Sequence, residues 1–306
     1  MKQPTSRDGD NIKLAVFAIV FTELALSLGD ATIKHISANF PLWQIFVIRS
    51  MIAVPILIVV IKTCLRSVSL IPQHVVWTTI RSLMLTLMWV AYYSALPNVA
   101  LSVAAATFYT SPLFITLLAA VFVSDRVGTK GWIAVFLGFF GVLLILRPQT
   151  DDFNAYTLLP LLSALLYALA MIITRTKCRG EAPLVLSLGL NVSLVSVGAA
   201  ATLLIALWGP SDAETKIYPF LLGSWLSMGT NEWLTMSLLA AAVIIGSVGA
   251  AIAYQVGPSS IVATFDFSYL AFAVVWAFLL FSEVPDTIMI CGIALIVVAG
   301  LLAIRR

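Results

Sequence analysis

The chain has 306 residues, of which 61% are hydrophobic and 10% charged, with a net charge of +3 and a mean hydropathy of +1.06. A soluble domain carries about 25% charged residues, and a water-soluble fold of this length has too little interior for so much apolar surface. The composition excludes a soluble globular enzyme, a disordered protein and a nucleic-acid binder, and it implies an all-α polytopic membrane protein.

A helical span takes about 20 residues. In chain order, apolar runs fall at 13–36, 42–61, 73–95, 99–123, 131–147, 154–174, 183–208, 233–255, 259–281 and 287–304. They are too long for strands, and the alternating ten-residue pattern of a membrane β-barrel is missing. Ten spans fill the chain and leave no room for a soluble domain. The first run follows a polar stretch with no small-residue cleavage site, so a retained span is expected rather than a signal peptide. One connection is long, 209–232; Pro210, Asp212, Glu214 and the apolar stretch 217–228 predict an interfacial helix or half-buried loop there. Trp43, Trp77, Trp132 and Trp233 fall at span ends, where indole rings anchor at the lipid–water interface.

The basic residues orient the chain. With a cytoplasmic N-terminus, the inner segments hold Lys2, Arg7, Lys13, Lys62, Arg66, Arg126, Lys130, Arg175, Lys177, Arg179, Arg305 and Arg306. The outer segments hold only Arg147 and Lys216. Both termini are therefore expected on the cytoplasmic side of a cell (inner or plasma) membrane. Cys64, Cys178 and Cys291 are far apart and form no CxxC pair, and His35 and His74 lack partners, so no disulfide framework, metal site or cofactor is expected.

The chain repeats itself. ATFYTSPLFITLLAAVFVSDRVG (106–128) and VATFDFSYLAFAVVWAFLLFSEVPD (262–286) both run from small residues through Thr-Phe and a polar aromatic cluster to an apolar stretch ending in Ser and an acid. GFFGVLLILR closes the fifth span as VVAGLLAIRR closes the tenth. Two units follow, 1–150 and 151–306. Five is odd, so the two units have opposite membrane orientation, an architecture recurrent in secondary transporters.

The stretch AATFYTSPLFITLLAAVFVSDRVGTKGWIAVFLGFFGVLLILRP resembles the first EamA repeat of the drug/metabolite transporter superfamily, with Pro112, Asp125–Arg126 and Gly138–Gly141 at matching places. FSEVPDTIMICGIALIVVAGLLAIRR resembles the second repeat, with Glu283 and Pro285. The resemblance implies ten spans, cytoplasmic termini and a central cavity between the halves. Pro112 has no counterpart in the ninth span, where Tyr269 or Leu270 stands, so symmetric rocking about two kinks does not follow.

Ionisable residues inside spans are expensive and mark candidate sites. Glu23, Ser27, Asp30 and Lys34 are spaced 4, 3 and 4, which puts them on one face of the first helix. Glu23 lies about ten residues into its span, roughly 15 Å deep, and is a candidate for proton coupling with Asp30 and Asp266. Asp30 also suits a local bond with Lys34, four residues on. Arg49 has a planar fork that fits a substrate carboxylate or phosphate, or an internal acid such as Asp30. Arg81 lies nearer the cytoplasmic end and can snorkel. Asp266 also suits a positively charged substrate group, with Tyr269 on its face. Trp89, Tyr109 and Tyr167 are mid-span rings able to stack on planar solutes or hold amines. Asn191 sits four residues after Ser187 and is either a binding or a helix–helix contact. Ala104–Ala106 and Gly246, Gly249 and Ala250 predict close helix approach.

These features predict a secondary transporter of a small polar metabolite, with Arg49, Arg81, Trp89, Tyr109, Tyr167, Asn191, Asp266 and Tyr269 as candidate binding residues. An amino-acid-like zwitterion or an amine fits best; riboflavin or S-adenosylmethionine is the planar alternative. The partners expected are the solute, the bilayer and protons, with no nucleic acid, in a monomer or homodimer. An intramembrane enzyme would need a motif such as HExxH or GxSxG, which the sequence lacks, and a channel would need a filter ring.

Overall fold

The computed structural model describes residues 11–65, 68–122, 129–146, 154–178, 180–256, 262, 265–266 and 268–304. The resemblance-bearing pair Asp125–Arg126 and the basic residues Lys2, Arg7, Arg66, Arg147, Arg179, Arg305 and Arg306 lie outside them. Among the described residues every regular element is helical. The long helices are α1 (Ile12–Ile36), α2 (Leu42–Cys64) and α3 (Val75–Ala95). They are followed by α4 (Leu101–Phe108), α5 (Ser111–Phe122), α6 (Thr129–Leu146), α7 (Leu158–Lys177) and α8 (Pro183–Trp208). The connection after α8 folds as α9 (Asp212–Ile217) and α10 (Pro219–Leu222), and the chain ends with α11 (Thr230–Val256), α12 (Ser268–Phe281) and α13 (Thr287–Ile304).

Local chemistry sets the helix ends. Asn11 accepts the Leu14 amide at 3.1 Å at the start of α1. Pro183 opens α8, where its missing N–H costs nothing, and Gly209 closes it at φ +63. The fourth predicted span, 99–123, is not one helix. It breaks at Tyr109–Thr110 into α4 and α5, because Pro112 has no N–H for the Phe108 carbonyl. The Thr110 hydroxyl donates to the Thr107 carbonyl at 2.8 Å within the break.

Among the described residues, six helices are long and apolar enough to cross a membrane: 12–36, 42–64, 75–95, 155–174, 183–208 and 230–253. Shorter apolar helices run at 101–115, 268–281 and 287–299. The outward faces of the long helices carry Phe17, Val76, Leu204 and Leu207 at 66–75% exposure. Water would penalise such a surface; lipid tails do not.

The helices pair across the chain. α1 packs on α11 as α3 packs on α7; α1 meets α12 as α5 meets α7; α3 meets α8 as α2 meets α11. α2 with α8 and α6 with α13 complete the set. Small residues let these helices approach, as the sequence predicts for Gly249. A Cβ there would fall 2.0 Å from Thr22 Oγ1 on α1, and one at Gly141 of α6 would fall 2.8 Å from the Gly292 carbonyl oxygen of α13.

The 209–232 connection is the half-buried loop expected from its pattern. Ser211 and Glu214 cap α9 reciprocally, and the bonds from Ser211 hold the exposed Glu214 carboxyl below its usual range. α10 and the loop after it dock on α2: Trp43 donates to the Leu221 carbonyl at 2.9 Å, and Gln44 exchanges two bonds with Leu226, 2.7 and 2.9 Å.

The expected Asp30–Lys34 pair is absent. Lys34 Nζ lies 3.2 Å from Glu283 and donates to the Val99 carbonyl at 2.6 Å, while Glu283 accepts the Leu101 amide at 3.0 Å. The lysine stem reaches past the end of α1 to this rim cluster, whereas Asp30 faces inward and is occupied by phenols.

Replacing Gly141 by Leu should overpack the α6–α13 crossing and destabilise the protein by about 1–3 kcal/mol. Gly180→Leu, where a Cβ meets nothing within 4 Å, is the control. Thermal unfolding in detergent measures both; equal melting temperatures would refute the close crossing.

Candidate functional site

Where α1, α3, the α4–α5 break, α7 and the start of α12 converge, they leave a cavity of about 490 Å³. α1 contributes Glu23, Leu26 and Asp30, whose spacing of 3 and 4 aims them in one direction. α3 contributes Met88, Trp89 and Tyr92; the break contributes Phe108, Tyr109 and Ser111. Tyr167 of α7 and Asp266 and Tyr269 close the wall from the second half of the sequence. All three carboxylates are at most 6% exposed.

The break in the fourth span matters here. Tyr109 caps α4 with φ −74 and ψ 13, near the bridge region, and its hydroxyl donates to Glu23 at 3.1 Å. Asp30 accepts from Tyr93 at 2.9 Å and from Tyr269, whose hydroxyl also lies 3.1 Å from that of Tyr92. Ser27 accepts from the indole of Trp276 at 3.1 Å. Rings line the rest: Tyr109 stacks on Tyr269 at 5.2 Å, Trp89 on Tyr93 at 4.9 Å, and Phe108 tilts over Tyr167 at 5.5 Å. The chamber thus offers carboxylate oxygens and flat ring faces, and none of its lining residues is basic. Such walls attract cations and planar molecules.

Of the residues singled out from sequence, Glu23, Asp30, Trp89, Tyr109, Tyr167, Asp266 and Tyr269 come together around this cavity. Arg49 borders a smaller adjoining cavity that shares Leu26, Asp30 and Trp89 with it. It forms no ion pair with Asp30, and its guanidinium sits 4.9 Å from the Phe46 ring and 5.5 Å from that of Tyr93. Arg81 and Asn191 lie elsewhere. Arg81 is 3% exposed, not snorkelling, and donates to Thr174 Oγ1 at 2.7 Å and the Leu186 carbonyl at 3.4 Å between α3, α7 and α8. Asn191 donates to the Ser187 carbonyl of its own helix at 3.0 Å. Tyr92 and Tyr93 were not among the candidate binding residues; their place three and four residues after Trp89 puts them on its face of α3 and was the available signal. Among the described residues, no group of three or more His, Cys, Asp or Glu side chains is placed to hold a metal ion.

Residues 13–147 match the EamA-like transporter family. Over these residues the chain is similar to the EamA-type proteins of the drug/metabolite transporter superfamily. It is 31% identical to a riboflavin transporter of Rhizobium johnstonii over 218 residues, 71% of this chain and 65% of that protein. It is 25% identical to the pseudopaline exporter CntI of Pseudomonas aeruginosa over 95% of both chains. An S-adenosylmethionine uptake transporter of Rickettsia prowazekii matches at 23% over 91% of this chain and 88% of that one. A protein of solved crystal structure shares the fold, with a TM-score of 0.64 and 18% identity over 95% of this chain and 96% of its own. The family match, the relatives and the apolar helices together support a multi-pass membrane protein.

The Asp30–Tyr93 bond can be tested by a double-mutant cycle with Asp30→Ala and Tyr93→Phe. Unfolding free energies should show a coupling of about 0.5–3 kcal/mol. Strict additivity would mean that the two groups do not interact.

Proposed function

We propose that the chain is a secondary active transporter that moves a small organic metabolite across the cell membrane by alternating access. The solute carries a cationic group and a flat or apolar face. The observation that carries this reading is the central chamber, where three buried carboxylates and a set of aromatic rings from both halves of the sequence meet. Acids buried within a membrane protein are costly and mark functional sites, and a cation with a flat face complements these walls.

In this reading there are ten spans, formed as two five-helix units, 1–150 and 151–306, of opposite orientation, with both termini cytoplasmic. The packing supports it: exchanging the first five segments for the last five maps α1–α11 onto α3–α7, α1–α12 onto α5–α7 and α3–α8 onto α2–α11. The solute sits where the units meet. Glu23 and Asp266 are the residues to couple its movement to protons, and Asp30 fixes the phenol network beside them.

A second reading, transport of a planar cofactor-type metabolite, is favoured by the relatives named for riboflavin and for S-adenosylmethionine. The two overlap, because S-adenosylmethionine combines a flat base with cationic groups. A channel or intramembrane enzyme finds less support: the symmetric pairing suits rocking units, and the similar proteins are named as transporters.

Reconstitution into proteoliposomes tests the proposal. Amines, amino acids, S-adenosylmethionine and riboflavin would be offered with and without an imposed pH gradient. Gradient-driven accumulation is expected for at least one, lost in Glu23→Gln and Asp266→Asn while exchange of preloaded solute continues. Normal accumulation by both variants would remove those acids from coupling, and the absence of flux for every cationic or planar solute would remove the proposal.

A further inference from the structure

Arg49 is the buried base of α2. It is 2% exposed, in the middle of α2. Its Nε and Nη2 have no hydrogen-bond partner among the described residues, and no carboxylate there lies within 4.0 Å. The nearest acid, Asp30, spends its oxygens on Tyr93 and Tyr269. Tyr93 and Asp30 meet part of its charge, but two buried N–H groups left unbonded are costly, so a purely structural arginine at this place is a poor solution.

The two orphan donors are not scattered. Nε and Nη2 share one edge of the guanidinium plane, the edge that accepts a two-oxygen anion side-on. A small side cavity opens beside Arg49. Gly29 on one wall and Leu239, Ala242 and Val243 on another bring no side-chain hydrogen-bonding group into it. Leu26, Asp30 and Trp89 border both this cavity and the acidic chamber, so the two are adjacent compartments of one space.

We infer that the cavity at Arg49 is a carboxylate subsite, so that the transported solute is a zwitterion. Its ammonium lies among Glu23, Asp30 and Asp266, and its carboxylate turns past Trp89 to lie side-on against Nε and Nη2 of Arg49. This rests on the transport reading above and narrows it: an amine lacking the carboxylate fills only the chamber. Phe46 and Tyr93 hold the guanidinium plane in place by ring contact, which keeps the fork oriented while it is empty.

The test compares each amino acid with its decarboxylated amine, L-tryptophan with tryptamine and L-phenylalanine with 2-phenylethylamine, by binding and by proteoliposome uptake. The wild-type protein should prefer the amino acid by about tenfold or more, the worth of a charge-assisted bond. Arg49→Gln should bring that ratio to about one, Arg49→Lys should keep part of it, and Ala242→Leu, which fills the cavity without touching a charge, should abolish it. Arg49→Gln should unfold at the same temperature as wild type or higher, because it removes an unpaired charge. Equal handling of amine and amino acid by the wild type overturns the subsite and leaves the cation-binding chamber standing. A preference that survives both Arg49→Gln and Ala242→Leu also overturns it. A large fall in melting temperature in Arg49→Gln with the preference intact in Ala242→Leu makes Arg49 structural and overturns it. Failure to bind or move any member of either pair overturns the subsite together with the cationic-solute reading.

Discussion

A carboxylate inside a membrane-spanning helix has no water to solvate it and must find donors within the protein. At Asp30 the donors are phenols from opposite halves of the sequence, Tyr93 of α3 and Tyr269 of α12. Removing either half would leave the acid half-satisfied. The same requirement recurs at Glu23, which takes the hydroxyl of Tyr109, and that hydroxyl is within reach because the fourth span breaks where Pro112 denies it a backbone bond. A helix that ran straight through 108–111 would carry Tyr109 in regular register. Backbone punctuation, ring placement and the buried acid are one constraint.

The broad outline was legible because it depends on composition and period. Long apolar runs, a polar connection and small residues at crossings follow from what lipid and close packing permit. The 4, 3, 4 spacing on α1 placed Glu23, Ser27 and Asp30 on a common face, and the structure turns Glu23 and Asp30 into the cavity while Ser27 meets Trp276. What spacing did not reveal is azimuth relative to other helices. Arg81 is as deeply buried as Arg49, yet its partners are Thr174 and Leu186, about a hundred residues away. Nothing in the local sequence distinguishes an arginine satisfied by α7 and α8 from one left unpaired. Lys34 teaches the same lesson: the acid four residues before it was the local partner, and Glu283, far along the chain, is the actual one.

Two kinds of seam run along α1. Toward α11 the helices are closely packed across Gly246 and Gly249, where a Cβ would collide with Leu26 and Thr22. Toward α12 the seam is polar: Ser27 with Trp276, Asp30 with Tyr269, and Lys34 with Glu283 at the rim. Tyr269 and Trp276 stand seven residues apart on one face of α12, and Glu283 follows just past its end.

The two seams respond differently to being pulled apart. Separating α1 from α11 would leave an empty slot lined by small residues, and nothing would replace the dispersion attraction forfeited there. Separating α1 from α12 breaks hydrogen bonds and an ion pair whose partners can be taken over by water or by polar groups of a solute, which are comparable in strength. The seam beside the chamber is therefore the one that a solute can part at low cost, and it is the seam where the three α1 side chains, Ser27, Asp30 and Lys34, each have a partner to exchange. A chamber built at a packed glycine crossing would be rigid. This one is built beside bonds that a polar ligand can replace.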